Sequence, residues 1–171
     1  MRNVMIEEKK NYILTADQAM MKMRRMAYEI LENNGNRQDI ILAGVTGNGT
    51  VIATIMAQLL EGISGIAYQQ LLVSLDKQQP MVVYIDPETD IDNKIVILTD
   101  DVINSGKTLT YALKPFLQAN PEKIQTLVLV ERSHTKFPVQ ANYVGLSLST
   151  FLNEHIIVEV EDQQVKGAFV A

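Results

Sequence analysis

Val96-Ile97-Leu98-Thr99-Asp100-Asp101-Val102-Ile103-Asn104-Ser105-Gly106-Lys107-Thr108 begins as an apolar, β-branched run and ends as a turn into a helix. The run Val96 to Leu98 lacks polar alternation, the pattern of a parallel strand buried on both faces. Two adjacent carboxylates, Asp100 and Asp101, stand at its carboxyl end. Ser105-Gly106-Lys107-Thr108 then opens a helical pattern containing Leu109, Ala112, Leu113, Phe116 and Leu117. In an open parallel sheet, ligands bind in the crevice beyond the strands' carboxyl ends. A helix N-terminus at that place presents unpaired N–H groups and partial positive charge, which suits a phosphate. The carboxylates suit sugar hydroxyls, which donate hydrogen bonds, or a hydrated Mg²⁺. Together these parts describe a site for a phosphorylated sugar.

Two other readings compete. A Walker A loop can also end in Ser-Gly-Lys-Thr, but its first glycine falls at position 101. Asp101 stands there and would repel nucleotide phosphates. The plainer alternative is an ordinary strand-to-helix turn with capping acids.

The chain has 171 residues, which fits one domain over 1–171 with room for a proper core. Apolar residues make up 47% and charged residues 20%, an ordinary globular balance. A formal net charge of -5 argues against a protein that grips nucleic acid over most of its surface, although a local basic patch stays compatible. The absence of cysteine excludes disulfides, thiolate catalysis and zinc–thiolate clusters, and fits a reducing cytoplasm. The first residues carry no apolar signal region, and no apolar run reaches the length of a membrane span.

Upstream, Asn11 to Leu14 reads as a short edge strand. Thr15 is an N-cap, completed by Gln18 into a capping box. Met20, Met23, Ala27, Ile30 and Leu31 recur at helical spacing, and Asn34-Gly35-Asn36 stops the helix. Lys22, Arg24 and Arg25 lie off that apolar stripe, as a solvated face does. Ile40 to Val45 is a strand ending in the glycine-rich turn Gly44-Val45-Thr46-Gly47-Asn48-Gly49. The helix of Val51, Ile52, Ile55, Met56, Leu59 and Leu60 follows. Such a turn lets backbone N–H groups approach a phosphate closely. It lacks both the spacing of a dinucleotide fingerprint and the acid about 20 residues on that such a site needs.

Gly65 to Leu75 and Met81 to Ile85 read as strands, joined by the short Asp76-Lys77-Gln78-Gln79-Pro80 connection. Asp86, Glu88, Asp90 and Asp92 alternate like a calcium loop but lack its glycine and final glutamate. Pro115 should kink or loosen the helix after the central motif, and Asn120-Pro121 ends it. Thr126 to Val130 is a further buried strand, with Glu131-Arg132-Ser133-His134 at its carboxyl end. A loop salt bridge of Arg132 or His134 with Glu131 is the bland reading there. Tyr143-Val144-Gly145 is a short strand. Ile156 to Val160 and Val165 to Val170 form a closing hairpin around Glu161-Asp162-Gln163-Gln164.

An apolar strand, two acids, two apolar residues, one variable residue and a [Thr/Ser]-Gly-x-Thr turn make up the phosphoribosyl diphosphate motif of type I phosphoribosyltransferases. Residues 96–108 resemble it throughout. The segment Val130-Glu131-Arg132-Ser133-His134-Thr135-Lys136-Phe137-Pro138, with Ala141-Asn142-Tyr143-Val144-Gly145, is similar to one subfamily. That subfamily comprises the pyrimidine-operon attenuators that are also uracil phosphoribosyltransferases.

The resemblance implies a type I phosphoribosyltransferase-like α/β fold: a central, mostly parallel sheet flanked by helices, with a small C-terminal β cap. It implies Mg²⁺ as cofactor, phosphoribosyl diphosphate and a nucleobase (a pyrimidine, uracil first) as substrates, and a homodimer. Asp100 and Asp101 would serve the ribose hydroxyls and the surroundings of the metal. Asn104, Ser105, Gly106, Lys107 and Thr108 would wrap the 5′-phosphate, and Thr46, Gly47, Asn48 and Gly49 would hold the diphosphate. Glu131, Arg132 and His134 would lie on the nucleobase side. Purine enzymes carry an acid at the variable position, whereas Asn104 cannot take a proton at neutral pH, which fits a pyrimidine. Two departures stand out: the diphosphate loop has no Lys or Arg, and the lid is short. Lys77 and a partner subunit are the two sources left open for the missing cation. These departures carry the alternative reading, a catalytically weak regulator of pyrimidine metabolism that binds a pyrimidine nucleotide and RNA. The subfamily's basic RNA-binding face is matched only by Arg24 and Arg25.

Overall fold

The computed structural model describes residues 10–149 and 154–171. Its central sheet follows from the apolar runs. Strands β2 (Ile40–Val45), β3 (Gln69–Leu75), β4 (Val83–Asp86), β5 (Ile95–Ile103), β6 (Lys123–Arg132) and β7 (Tyr143–Leu148) lie in the order β4-β3-β2-β5-β6-β7. All pair in parallel except β4, which forms an antiparallel hairpin with β3. Strand β2 is buried at every position. Parallel strands covered on both faces are this apolar because neither face meets water.

Side-chain alternation along these strands divides the core. On one face Leu42, Ile97 and Leu129 pack with Met23, Met26 and Ile30 of α1 (Ala16–Asn34) and with Ile52 and Met56 of α2 (Asn48–Ser64). On the other, Ile41, Ala43, Val96, Leu98 and Val128 meet Leu109 and Ala112 of α3 (Lys107–Ala112) and Phe116 of α4 (Lys114–Leu117). The chain passes from β2 through α2 to β3 on one side, and from β5 to β6 and β7 on the other. Its winding therefore reverses between β2 and β5. A crevice opens at such a reversal, outside the carboxyl ends of the two strands.

The second sheet is antiparallel, in the order β1 (Asn11–Thr15), β9 (Gln164–Val170), β8 (Ile156–Glu161). The terminal hairpin is present as expected, and β1 extends it by pairing Asn11 with Val170. Thr15 and Gln18 form the capping box, with Gln18 N donating to Thr15 Oγ1 and Thr15 N to Gln18 Oε1.

Some local expectations shift. Met20 is 39% exposed, because the buried stripe of α1 runs through Ala19, Met23, Met26, Ala27 and Ile30. Gly65 ends α2 in the left-handed conformation (φ 73°) and does not start β3. Pro115 does more than kink its helix, which divides into α3 and α4. No helix among the described residues is long and apolar enough to cross a membrane.

Candidate functional site

Asp100 and Asp101 lie near the carboxyl end of β5, on the reversal beside β2. Asp100 is 2% exposed. Its Oδ1 accepts the Asp101 N–H at 2.9 Å and lies 3.6 Å from Lys77 Nζ. Asp101 uses both oxygens: Oδ1 accepts from Val102 N and Oδ2 from Asn48 Nδ2, each at 2.9 Å. Burial pushes the Asp100 carboxyl up from 3.8 to about 8, and the neighbouring Asp101 charge adds to the shift, while the Lys77 ammonium opposes it. Near neutral pH the Asp100 carboxyl thus holds its proton more readily than a free carboxyl, with the Lys77 ammonium facing it.

The Ser105-Gly106 turn is held from two sides. Ser105 Oγ accepts from Lys107 N at 3.2 Å, and the Gly106 carbonyl accepts from the Thr110 N–H and hydroxyl. From the segment after β6, Lys136 N and Phe137 N both donate to the Ser105 carbonyl, and Phe137 meets the Tyr111 ring edge-on. Gly106 adopts φ 83°, and a Cβ there would lie 2.8 Å from Val139 Cγ1. The positive φ favours glycine here, and the Val139 side chain would have to shift to admit a Cβ. Asn104 Oδ1 is buried with no hydrogen-bond partner. An orphaned acceptor is costly, and a donor arriving with a ligand would relieve it.

The first phosphate-binding candidate turn is tighter than its glycine run implies. Gly47 (φ 90°) is the N-cap of α2, so Asn48 and Gly49 already belong to its first turn. Gly49 lies against β5: a Cβ would sit 2.8 Å from the Thr99 carbonyl and 3.1 Å from Asp100 Oδ1. Thr46 is committed to β3, with its N–H and hydroxyl both donating to the Val73 carbonyl.

These parts enclose a cavity of about 260 Å³. Its lining includes Asn48, Lys77, Asp100, Asp101, Asn104, Ser105, Gly106, Lys107 and Thr108, and Ile156, Ile157 and Val158 of β8 contribute one wall. Of the expected diphosphate loop only Asn48 is in this lining; Thr46, Gly47 and Gly49 are not. Glu131, Arg132 and His134 are not part of it: Glu131 accepts from Ser147 Oγ at 2.7 Å, and Arg132 donates to the Glu154 carbonyl. Two contributions were not assigned to the site from the sequence. The β8 wall depends on where the closing hairpin lands. The segment 136–139 braces the phosphate turn, and its only sequence signal is the Phe137-Pro138 pair. Arg25, one of the two basic-face residues, bonds Glu29 and the carbonyls of Val144 and Gly145.

The oxygen donors suit a hydrated Mg²⁺. That ion takes one or two carboxylates, keeps several waters and completes its shell with substrate phosphates. Asp100, Asp101 and the unpartnered Asn104 Oδ1 offer acceptors of this kind. No group of three or more His, Cys, Asp or Glu side chains among the described residues forms a metal cage.

The family model described as phosphoribosyl transferase domain matches residues 11–164. The chain is 35% identical over 150 residues to the bifunctional protein PyrR of Enterococcus faecalis, covering 82% of this chain and 84% of that protein. It is 31% identical over 167 residues to the bifunctional protein PyrR of Bacillus pumilus, covering 91% and 93%. Among solved structures, the hypoxanthine phosphoribosyltransferase of Trypanosoma cruzi superposes with a TM-score of 0.78 at 16% identity, covering 94% of this chain and 95% of that one. The hypoxanthine-guanine phosphoribosyltransferase of Bacillus anthracis gives 0.73 at 21% identity, covering 86% of each chain. At such identities the structural likeness speaks for the fold alone.

Proposed function

The chain belongs to the phosphoribosyl transferase domain family, and from that premise we propose that it transfers a phosphoribosyl group from phosphoribosyl diphosphate to a pyrimidine base, uracil first. The observation that carries this reading is the cavity that the acid pair, with Asp100 buried, lines together with the Ser105–Thr108 turn at the sheet reversal.

In the transfer, a ring nitrogen of the base forms a bond to the anomeric carbon. The bond from that carbon to the diphosphate oxygen breaks, and the nitrogen's proton passes to solvent. Positive charge builds on the sugar as the bond breaks, as in glycoside transfer, and no protein nucleophile is required. The chain's task is positioning. Asp100 and Asp101 accept from the ribose hydroxyls, and the N–H groups from Ser105 to Thr108 hold the 5′-phosphate. The α2 N-terminus, Gly47 to Gly49, faces the diphosphate. Asp100, Asp101 and Asn104 would hold Mg²⁺ through its water shell, and the bound ion supplies charge neutralisation at the departing diphosphate. Asn104 offers no base to a purine ring, which supports the pyrimidine. The homodimer and the cytoplasmic setting belong to the same reading.

Calorimetric titration of phosphoribosyl diphosphate with Mg²⁺ tests it, against wild type and the double variant Asp100→Asn, Asp101→Asn. Binding is expected in wild type only, followed by uracil-dependent release of diphosphate. Wild type that binds nothing would sink the enzyme reading.

One observation favours a second reading, a regulator that binds a pyrimidine nucleotide. The β2–α2 turn carries no cation, and the Thr46 hydroxyl is already bonded to β3. Saturable uridine nucleotide binding without diphosphate release would select it. Salt-dependent retention on RNA would add the nucleic-acid partner.

A further inference from the structure

The Ser105–Thr108 turn is supported from outside the cavity by a stretch of chain with no helix or strand of its own. In the connection from β6 to β7, Ser133 to Gln140 is exposed except at Phe137 and Val139, which are half-buried. Neither is in the cavity lining. Both pack on the turn and its helix instead. The Phe137 ring meets that of Tyr111 in α3 edge-on, with centroids 6.4 Å apart, and Val139 Cγ1 would lie 2.8 Å from a Cβ on Gly106.

The stretch is itself anchored. At one end Ser133 N and Oγ both donate to the Leu148 carbonyl of β7. At the other, Thr126 of β6 donates its hydroxyl to the Gln140 carbonyl and its N–H to Asn142 Oδ1. Between them the Thr135 hydroxyl and the Val139 N–H both donate to the Phe137 carbonyl, closing a tight bend.

From this bend the Lys136 and Phe137 N–H groups converge on the Ser105 carbonyl, at 2.9 and 3.1 Å. In a planar trans peptide the carbonyl and the following N–H point in opposite directions. Holding the Ser105 carbonyl on the stretch therefore turns the Gly106 N–H away from it, and Gly106 lines the cavity. Among the described residues none accepts from this N–H. Glycine populates both signs of φ, so the Ser105–Gly106 peptide could turn over if its carbonyl were released.

We propose that Phe137 is a positioning residue for the 5′-phosphate of the ligand. Its ring, seated on Tyr111, keeps the two N–H groups on the Ser105 carbonyl and so keeps the Gly106 N–H aimed at the phosphate. The proposal rests on the reading of the Ser105–Thr108 turn as the 5′-phosphate site, which the transferase and the nucleotide-binding regulator share.

The test is calorimetric titration of uridine 5′-monophosphate into wild type, Phe137→Ala and Phe137→Leu, with uridine measured by competition against it. The two ligands differ only in the phosphate, so their affinity ratio reads the turn and cancels effects elsewhere in the cavity. Wild type should prefer the nucleotide by ~100-fold or more, the scale of two charge-assisted hydrogen bonds. Phe137→Ala should lower that ratio about tenfold, the loss of one such bond, with uridine within about twofold of wild type. Phe137→Leu, which keeps an apolar contact with Tyr111, should fall between the two. If the thermal midpoint shows Phe137→Ala to be unfolded at the assay temperature, Phe137→Leu decides by the same ratio. A wild-type ratio in a folded variant, or equal losses for the two ligands, overturns the role of Phe137 and leaves the phosphate assignment standing. Wild type that binds the nucleotide no better than the nucleoside, or not at all, overturns the phosphate assignment, and the role of Phe137 falls with it.

Discussion

Asn48 Nδ2 lies 2.9 Å from Oδ2 of Asp101, and the same amide reaches the Val158 carbonyl at 2.9 Å. One side chain in the first turn of α2 thus joins the acid pair to the second sheet, across the mouth of the cavity. Asn48→Ala should cost about 1–2 kcal/mol of stability, the scale of a part-buried hydrogen bond to a carboxylate. Asn48→Asp should cost more, because it sets a like charge against Asp101. Urea unfolding of the three proteins would show the order. Equal midpoints for all three would remove Asn48 as a structural tie.

At Gly49, α2 lies directly against the acid strand. A Cβ there would press on the Thr99 carbonyl at 2.8 Å and on the Asp100 Cα at 3.2 Å, both backbone atoms that side-chain rotation cannot relieve. Gly49→Ala should destabilise by about 1–3 kcal/mol, the range for overpacking. It should also weaken ligand binding by moving Asp100. A crystal structure of the variant with β5 and α2 in unchanged register would contradict the second effect.

The central motif was legible because all its parts are local. A β-branched run, two acids, a glycine turn and a helical stripe follow one another within thirteen residues, and each has its own periodicity. The reversal between β2 and β5 could be anticipated only as a rule for parallel sheets. What stayed hidden depends on distant pairing. Nothing in Asn11-Tyr12-Ile13-Leu14 says that it adds to the terminal hairpin through Val170, Phe169 and Ala168. The wall of Ile156, Ile157 and Val158 follows from that docking. Lys77 shows the same limit: the loop without a cation was visible, but the approach of Lys77 to Asp100 depends on β3 pairing with β2, which brings the turn after β3 to the same end of the sheet. Gly65 misled for a different reason, since a helix C-cap glycine and a strand-opening glycine look alike beside apolar neighbours.

The Asp100 carboxyl is set by opposing neighbours, so two substitutions should move it in opposite directions. Asp101→Asn removes a charge that raises its pKa, and the value should fall below about 8. Lys77→Met removes the cation that lowers it, and the value should rise. Carboxyl carbon chemical shifts followed against pH would report both. A shift of the same sign in the two variants would refute this account of the site's electrostatics.

The same group gives stability a defined pH dependence. Asp100 is raised from 3.8 to about 8, so the folded chain holds this proton more tightly than the unfolded chain does. Its contribution is fully present below the unfolded pKa, declines as pH rises, and is lost once pH passes the folded value. Asp39, Glu122 and Glu159 act in the opposite direction. Hydrogen bonds from Arg37 to the first two and from Lys10 to the third hold these carboxyls low, so their contribution is lost as pH falls through the folded values. Those pairs are at the surface and weak. Stability should therefore peak on the mildly acidic side and fall between about pH 5 and pH 8, with Asp100 dominating the slope. Asp100→Asn removes the titrating group, so its urea midpoints should change much less over that interval. A wild-type midpoint that rises with pH, or a variant with the wild-type slope, would show that Asp100 does not govern the dependence.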